Sequence, residues 1–248
     1  PVAATFFKNA AKKGSKLIVM DPRGHALKKY ATHMLQFKPG ADVALLNSIM
    51  HIIIKEKIYN SDYIKHRTQG FENLKKHLED YSPEKMEKIT GMKPDIIKKV
   101  ARLYGKTKKG IIFWGMGISQ HIHGTDNARC LISLALMTGN VGKKGTGLHP
   151  LRGQNNVQGA SDAGLIPMVF PDYQSVENKD IHSKYENFWK VELDNKKGLT
   201  VVEIIHKILE DEIKSMYIMG ENPAMSDPDQ NHAREALAKL DHLVVQDI

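Results

Sequence analysis

One arginine stands among side-chain amides and glycines in the second half of the chain. Residues 151–161 read LRGQNNVQGAS, in which Arg152 has four amide side chains nearby and no acidic residue within nine positions on either side. A guanidinium without a neighbouring carboxylate is free to form paired hydrogen bonds with an external carboxylate or phosphate. The alternative is a loop between two units, whose amides satisfy buried backbone groups. The first interpretation predicts an anion-binding site at Arg152.

Four strand-like runs end in glycines, acids or amides. The ends read DPRG at 21–24, GMGISQ at 115–120, GENPAMSDPD at 220–229 and QD at 246–247. Ligands of open α/β sheets bind beyond the carboxyl ends of the strands, where glycines let the backbone approach closely. Asp21, Glu221, Asn222 and Asp247 could hydrogen-bond a purine edge or ribose hydroxyls. Each end alone could be an ordinary turn or cap, and Gln at position 120 rules out the G-x-G-x-x-G fingerprint. Together the ends predict a site for a nucleotide-containing cofactor.

The histidines and the single cysteine do not form a pattern that binds a metal. His121 and His123 flank one residue of a loop, His149 precedes the amide-rich stretch, and the motif H-E-x-x-H is absent from the sequence. We expect loop or supporting roles for His121 and His123, with no metal ligand from the protein. His149 is expected either near a site or in a surface loop. Cys130 lies in the apolar run NARCLISLALM, which predicts a buried, unreactive thiol, and one cysteine excludes an intrachain disulfide.

Helix and strand patterns alternate along the chain and would position these residues. Residues 41–57 predict a helix with a broad apolar face, and TVVE at 200–203 predicts a capping box. Asp227 is the expected N-cap of the last helix, and residues 172–198 are expected to be polar and mobile. The alternation predicts an α/β fold with parallel strands.

An irregular stretch, rich in Gly, Asn and Gln, covers residues 139–164. It predicts a division into two domains, 1–154 and 155–248.

Composition narrows the class of partner. The 248 residues carry a formal net charge of +8, but the lysines come in pairs and do not alternate with aromatic residues. This distribution indicates a solvated basic surface, with an anionic ligand or acidic partner as the alternative, and argues against nucleic acid. No apolar run is long enough to span a membrane, and no signal peptide is recognisable.

The longest motif resembles a known family. Residues 115–164, GMGISQHIHGTDNARCLISLALMTGNVGKKGTGLHPLRGQNNVQGASDAG, are similar to the molybdopterin-dependent oxidoreductases, and in particular to the catalytic subunits of formate dehydrogenases. LIVMDPRG, MYIMGENPAMSDPD and LVVQDI resemble further segments of that family in the same order. The resemblance implies two Rossmann-like units, with parallel sheets flanked by helices, from the centre of the formate dehydrogenase/DMSO reductase fold.

The resemblance also implies a cofactor and a reaction. The cofactor is a molybdenum or tungsten bis-(molybdopterin guanine dinucleotide), and the reaction is oxidation of formate to carbon dioxide with electrons passing to iron–sulfur clusters. Arg152 corresponds to the catalytic arginine, with Gln154 close by; related nitrate reductases lack this arginine. The implied cofactor-binding residues are Asp21, Arg23, Gly115, Gly117, Gln120, Gly153, Gly220, Glu221, Asn222, Gln246 and Asp247.

Other parts of the family pattern are not in this sequence. The metal-ligating Cys or selenocysteine and the 4Fe-4S cluster belong to an N-terminal part of the family, so we expect a central fragment that is inactive alone. Expected partners are formate, the missing domains of the same polypeptide and electron-transfer subunits. We predict a cytoplasmic location, with a periplasmic one left open. The alternatives are a molybdopterin oxidoreductase for another small oxyanion, or a nucleotide-binding or assembly module without chemistry of its own.

Overall fold

The structure, a computed structural model, describes residues 2–227 and 229–248 and divides the chain into two compact units, Pro1–Gly153 and Gln154–Ile248. The helices and strands of the first unit are α1 Val2–Lys12, β1 Ile18–Met20, β2 His33–Leu35, α2 Asp42–Lys55, α3 Ser61–Arg67, α4 Phe71–His77, α5 Pro83–Thr90, α6 Pro94–Gly105, β3 Ile111–Trp114, α7 Met116–Ser119, α8 Gly124–Met137 and β4 Gly147–Pro150. Short 3₁₀ helices cover Ala26–Lys29 and Leu78–Asp80. Strand β1 pairs with β2, and β3 pairs with β4, both in parallel.

The core of the first unit lies around α2. This helix is apolar on most of its surface, so it buries side chains against α5, α6 and α8 together. Leu45, Ile53, Ile97 and Met137 are almost completely buried there. Local signals set the helix ends: Ser82 caps α5 through a hydrogen bond from the Lys85 amide, at 3.4 Å.

The second unit contains α9 Val157–Asp162, β5 Val169–Phe170, β6 Gln174–Ser175, α10 Lys179–Trp189, α11 Val201–Leu209, β7 Ser215–Met219, α12 Pro223–Ser226, α13 Gln230–Lys239 and β8 His242–Gln246, with a 3₁₀ helix at Pro171–Tyr173. Strands β7 and β8 pair in parallel, whereas β5 and β6 form a short antiparallel hairpin. Buried side chains of α11 and α13 form its small core. The predicted capping box of α11 is present. The α/β fold class with small parallel sheets flanked by helices is confirmed.

Three expectations about local structure were wrong. The stretch 139–164 contains strand β4 and helix α9, and the segment 172–198 contains the 11-residue helix α10. The N-cap of α13 is Asp229, whose carboxylate accepts a hydrogen bond from the His232 amide at 3.2 Å, while Asp227 follows the end of α12. The motif GENPAMSDPD ends with Pro228, which lies outside the described residues, and Asp229.

Within the described part of the chain, no helix is long and apolar enough to cross a membrane. The cytoplasmic location stays a prediction.

Candidate functional site

The parallel pairing of β3 and β4 brings two of the predicted segments to one sheet edge. Trp114 at the end of β3 is in register with Pro150 at the end of β4, and the Leu151 amide donates a hydrogen bond to the Trp114 carbonyl at 2.6 Å. The chain leaves both strands at this edge, through Gly115 on one side and through Leu151 and Arg152 on the other. The pairing therefore places the Gly-Met-Gly turn beside the arginine loop.

Glycines let this turn and this loop pack closely. A methyl group at Gly115 would lie 3.2 Å from the Leu151 carbonyl oxygen, and one at Gly153 would lie 2.6 Å from Cε of Met116. A methyl group at Gly117 would meet nothing within 4 Å, so this glycine faces open space. The first two glycines serve the packing of turn against loop, and the third leaves room for a ligand to approach the backbone.

Arg152 is exposed at this edge. Its guanidinium forms neither an ion pair nor a side-chain hydrogen bond with any residue that the structure describes. By contrast, the guanidinium of Arg102 donates hydrogen bonds of 2.7–3.0 Å to the Glu56 carboxylate. The alternative interpretation was a loop whose polar side chains satisfy the protein's own backbone groups. It does not account for Arg152, whose side chain makes no such hydrogen bond to a described residue. The guanidinium is available for an external anion.

The turn after β3 is held by contacts that the sequence did not reveal. The Gln120 amide donates to the Met116 carbonyl at 2.8 Å, while the Gln120 side chain is exposed. The buried Asn127 of α8 donates from Nδ2 to the Ile118 carbonyl at 2.9 Å. Asn127 was missed because an amide inside a helical pattern is most often a solvated residue. It ties the turn to the helix behind it.

The three histidines differ in their surroundings, and His149 lies in strand β4 and not in a surface loop. Nε2 of His121 lies 2.8 Å from the Gly117 carbonyl oxygen and braces the turn, and His123 is exposed. His149 stacks on Phe113 with ring centroids 5.1 Å apart. Among the described residues there is no group of three His, Cys, Asp or Glu side chains that could hold a metal ion.

Asp21 and Arg23 lie in the other parallel pair of the first unit. Asp21 follows β1, and its carboxylate accepts a hydrogen bond from the Arg23 amide at 2.7 Å. The Arg23 guanidinium lies 3.9 Å from the same oxygen but remains exposed. One carboxylate oxygen therefore shapes the turn, while the arginine side chain stays available to a ligand.

The second unit gathers its predicted residues at the carboxyl edge of β7 and β8. The Gly220 amide donates to the Gln246 carbonyl at 2.9 Å, so the end of β7 lies beside the end of β8. Glu221 accepts a hydrogen bond from the Ser226 hydroxyl at 2.7 Å, and Asn222 is the N-cap residue directly before α12. Asp247 follows at the same edge and is exposed.

Two further polar groups at this edge were missed. The Tyr217 hydroxyl donates to Oε1 of Gln246 and orients that side chain. Burial raises the pKa of Asp227, and the nearby Glu221 raises it further.

Gln154 begins the second unit with an exposed side chain.

Charge is unevenly divided between the units. Residues 1–153 contain 27 Lys and Arg against 11 Asp and Glu, whereas residues 154–248 contain 9 against 17. Because the field of a whole surface concentrates ions of opposite sign, the first unit attracts small anions. This supports an anionic ligand at Arg152.

Cys130 is expected to be nearly inert toward alkylation. Burial raises the pKa of its thiol to about 11 from 9.0, with a smaller contribution from Asp126. The thiolate is the reactive species, so at pH 8 iodoacetamide should alkylate the folded chain about 100-fold more slowly than the chain unfolded in urea. Mass spectrometry of quenched samples would measure both rates. The thiol is half-buried and not fully buried as predicted, and equal rates would contradict its inertness.

The comparisons with known proteins agree over the whole chain. The family model for molybdopterin oxidoreductase matches residues 1–248. The F420-dependent formate dehydrogenase subunit alpha of Methanocaldococcus jannaschii is 47% identical over 248 residues, which are all of this chain and 36% of that protein. Formate dehydrogenase H of Escherichia coli is 40% identical over 249 residues, or 35% of that protein.

Two further relatives show how far the similarity extends. The assimilatory nitrate reductase catalytic subunit of Bacillus subtilis is 34% identical over 250 residues, covering all of this chain and 35% of that protein. Acetylene hydratase from Pelobacter acetylenicus has the same fold, with a TM-score of 0.68 and 19% identity over 97% of this chain and 35% of that one. The chain thus spans about a third of the length of these relatives.

Proposed function

Because the chain belongs to the molybdopterin oxidoreductase family, we propose that it supplies the substrate-binding arginine and part of the cofactor-binding surface of a formate dehydrogenase. The relatives named as formate dehydrogenases, at 40–47% identity, support formate over other substrates. The observation that carries the proposal is the exposed guanidinium of Arg152, which has no partner among the described residues and lies beside a glycine turn at the carboxyl edge of a parallel sheet.

The residues at the strand ends fit a pterin guanine dinucleotide. The open space beside Gly117 admits a ligand against the backbone, and the donor set at the edges combines guanidinium groups, amides and carboxylates. Guanidinium and backbone N–H groups suit phosphates, and carboxylates suit the N–H edge of guanine. We propose that each of the two units, with a boundary near residue 154, supplies part of a surface that binds such a dinucleotide.

The residues that would hold the cofactor in the first unit are Asp21, Arg23, Gly115, Gly117, Gln120 and Gly153. Those in the second unit are Gly220, Glu221, Asn222, Gln246 and Asp247. When bound, the pterin-held molybdenum or tungsten supplies the two-electron redox chemistry. The 4Fe-4S cluster, the remaining domains and the electron-transfer subunits are proposed to lie outside these 248 residues; relatives named as alpha subunits support the partner subunits.

Arg152 would bind formate by two parallel N–H···O bonds. The planar fork of the guanidinium matches the planar carboxylate, so both oxygens are fixed and the C–H bond is left pointing away from the arginine. Charge-assisted bonds of this kind orient the substrate before reaction, which lowers the entropic part of the barrier. Gln154 is proposed to assist as a hydrogen-bonding side chain near the substrate.

Two alternatives stay open. The similarity to an assimilatory nitrate reductase favours a second candidate, in which the same scaffold acts on another small oxyanion. A nucleotide-binding or assembly module without redox chemistry is the third.

A single set of measurements separates these candidates. The complete protein should contain molybdenum or tungsten with pterin, and should reduce an artificial acceptor with formate but should not turn over nitrate or arsenite. Turnover of nitrate or arsenite alone would favour the second candidate. Nucleotide without metal or turnover would favour the third and contradict the proposal.

A further inference from the structure

Two histidines of the second unit face each other across the packed helices α11 and α13. Nδ1 of His206 lies 3.3 Å from Nε2 of His232, and the ring centroids are 4.9 Å apart with planes inclined by 62°. His206 is exposed and His232 is half-buried, so the pair opens to solvent. This pair lies on the helices and takes no part in the proposed formate site.

The helix packing beneath holds the two rings in place. Ile205 and Ile208 of α11 are buried against Ala233 and Ala236 of α13. The small alanine side chains let the helix axes approach, and each histidine is adjacent in sequence to one of these buried residues. The imidazoles are therefore presented by a packed core and not by loops, which reduces the entropy lost when both bind one ligand.

The distance between the nitrogens matches two neighbouring ligands of one metal ion. With metal–nitrogen bonds of about 2.0–2.1 Å and tetrahedral angles, two ligand nitrogens are about 3.3 Å apart. We propose that His206 and His232 together bind one borderline divalent cation, such as Zn²⁺, Cu²⁺ or Ni²⁺, and so cross-link α11 to α13. Imidazole nitrogen is a preferred ligand for these ions.

The surrounding charge favours a cation. Glu210, whose carboxylate pairs with Lys207 at 2.8 Å, lies one helical turn beyond His206 and close enough to interact with it electrostatically. The Asp229 carboxylate lies at the start of α13, bonded to the His232 amide. The second unit carries 17 acidic against 9 basic side chains, which raises the local concentration of cations. Water would complete the coordination shell, because these described residues form no group of three candidate ligands.

Titration of the full chain with Cu²⁺ and Zn²⁺ tests the site. We expect one equivalent of Cu²⁺ whose electron paramagnetic resonance spectrum shows two nitrogen ligands, and a Zn²⁺-dependent rise in melting temperature. His206→Gln and His232→Gln should each weaken the binding of this equivalent at least about tenfold, because a chelate becomes a single ligand. His242→Ala, an exposed histidine of the same unit, is the matched control and should bind as the wild type does.

The result that overturns the proposal is equally definite. If both glutamine variants retain the wild-type affinity and spectrum, or if the double variant binds as many equivalents as the wild type, the pair forms only an N–H···N hydrogen bond. His206 is exposed and His232 is half-buried, so we expect the variants to fold, and circular dichroism would verify this.

Discussion

Replacing Arg152 by lysine is expected to lower kcat/KM for formate on the order of 100-fold in the complete enzyme. Lysine keeps the positive charge but presents a single point donor, so it cannot fix both carboxylate oxygens at once. Formate would bind with more orientational freedom, which raises KM and lowers kcat together. Because Arg152 is exposed and has no partner among the described residues, the change should leave folding unaffected. Steady-state kinetics with an artificial acceptor measures the effect.

The control for this experiment is Arg129→Lys. Arg129 is also an exposed arginine of the first unit, on helix α8, where it pairs with Asp126 at 3.5 Å. It should keep wild-type kinetics. Metal and pterin contents must match those of the wild type in both variants, so that a loss of rate reports on formate and not on cofactor retention. Undiminished formate turnover in Arg152→Lys would contradict the assignment of Arg152 to formate binding.

The predictions that the structure confirmed rest on local patterns. Short apolar runs followed by glycine or acid predicted β1, β3, β7 and β8, and the capping box at Thr200 predicted the start of α11. Of the four predicted strand ends, those of β7 and β8 share one edge because these strands pair in parallel, whereas the ends of β1 and β3 lie in separate sheets. The resemblance to molybdopterin oxidoreductases is confirmed by the family model over the whole chain. The assignment of individual residues to the cofactor stays a prediction.

Strand β4 was not predicted from the sequence, because it forms through pairing with a strand that is distant along the chain. Strand β4, GLHP, contains a glycine and a proline and has no β-branched residue, so nothing in its own composition favours an extended pair. It is extended because β3 offers a parallel partner more than thirty residues earlier. This pairing is also what places Arg152 beside Gly115, so the geometry of the candidate site could not be derived from the motifs alone.

The missed helix α10 carried a signal that its polarity hid. Its apolar positions Ile181, Tyr185 and Trp189 recur every four residues, the spacing of one helix face. Tyr185 and Trp189 pack on Phe170 with centroids 4.5 and 5.9 Å away, and Asn178 caps the first turn. The many charged residues between them indicate a solvated face and not a mobile segment. Aromatic spacing was the better guide here than mean polarity.

The second large effect is expected at Gly124, the first residue of α8. Gly124→Ala should lower the free energy of unfolding by roughly 2–4 kcal/mol, from overpacking together with the weakening of a partly buried hydrogen bond. A methyl group there would lie 1.9 Å from the backbone oxygen and 2.7 Å from the carbonyl carbon of Ser119. The turn must move away, and the Asn127–Ile118 bond that ties it to α8 is then stretched. Urea unfolding of the full chain, followed by circular dichroism, measures the loss.

Gly117→Ala separates stability from cofactor binding in the same turn. Its methyl group meets no atom within 4 Å, so the unfolding midpoint should stay within error of the wild type. In the complete enzyme, however, this methyl group would project toward the space proposed for the dinucleotide, and pterin content after purification should fall. Gly124→Ala should lose both stability and cofactor. Wild-type stability in Gly124→Ala would show that the turn after β3 adjusts freely to α8, and a turn that adjusts freely could not hold Gly117 and Gln120 in a fixed place for a cofactor.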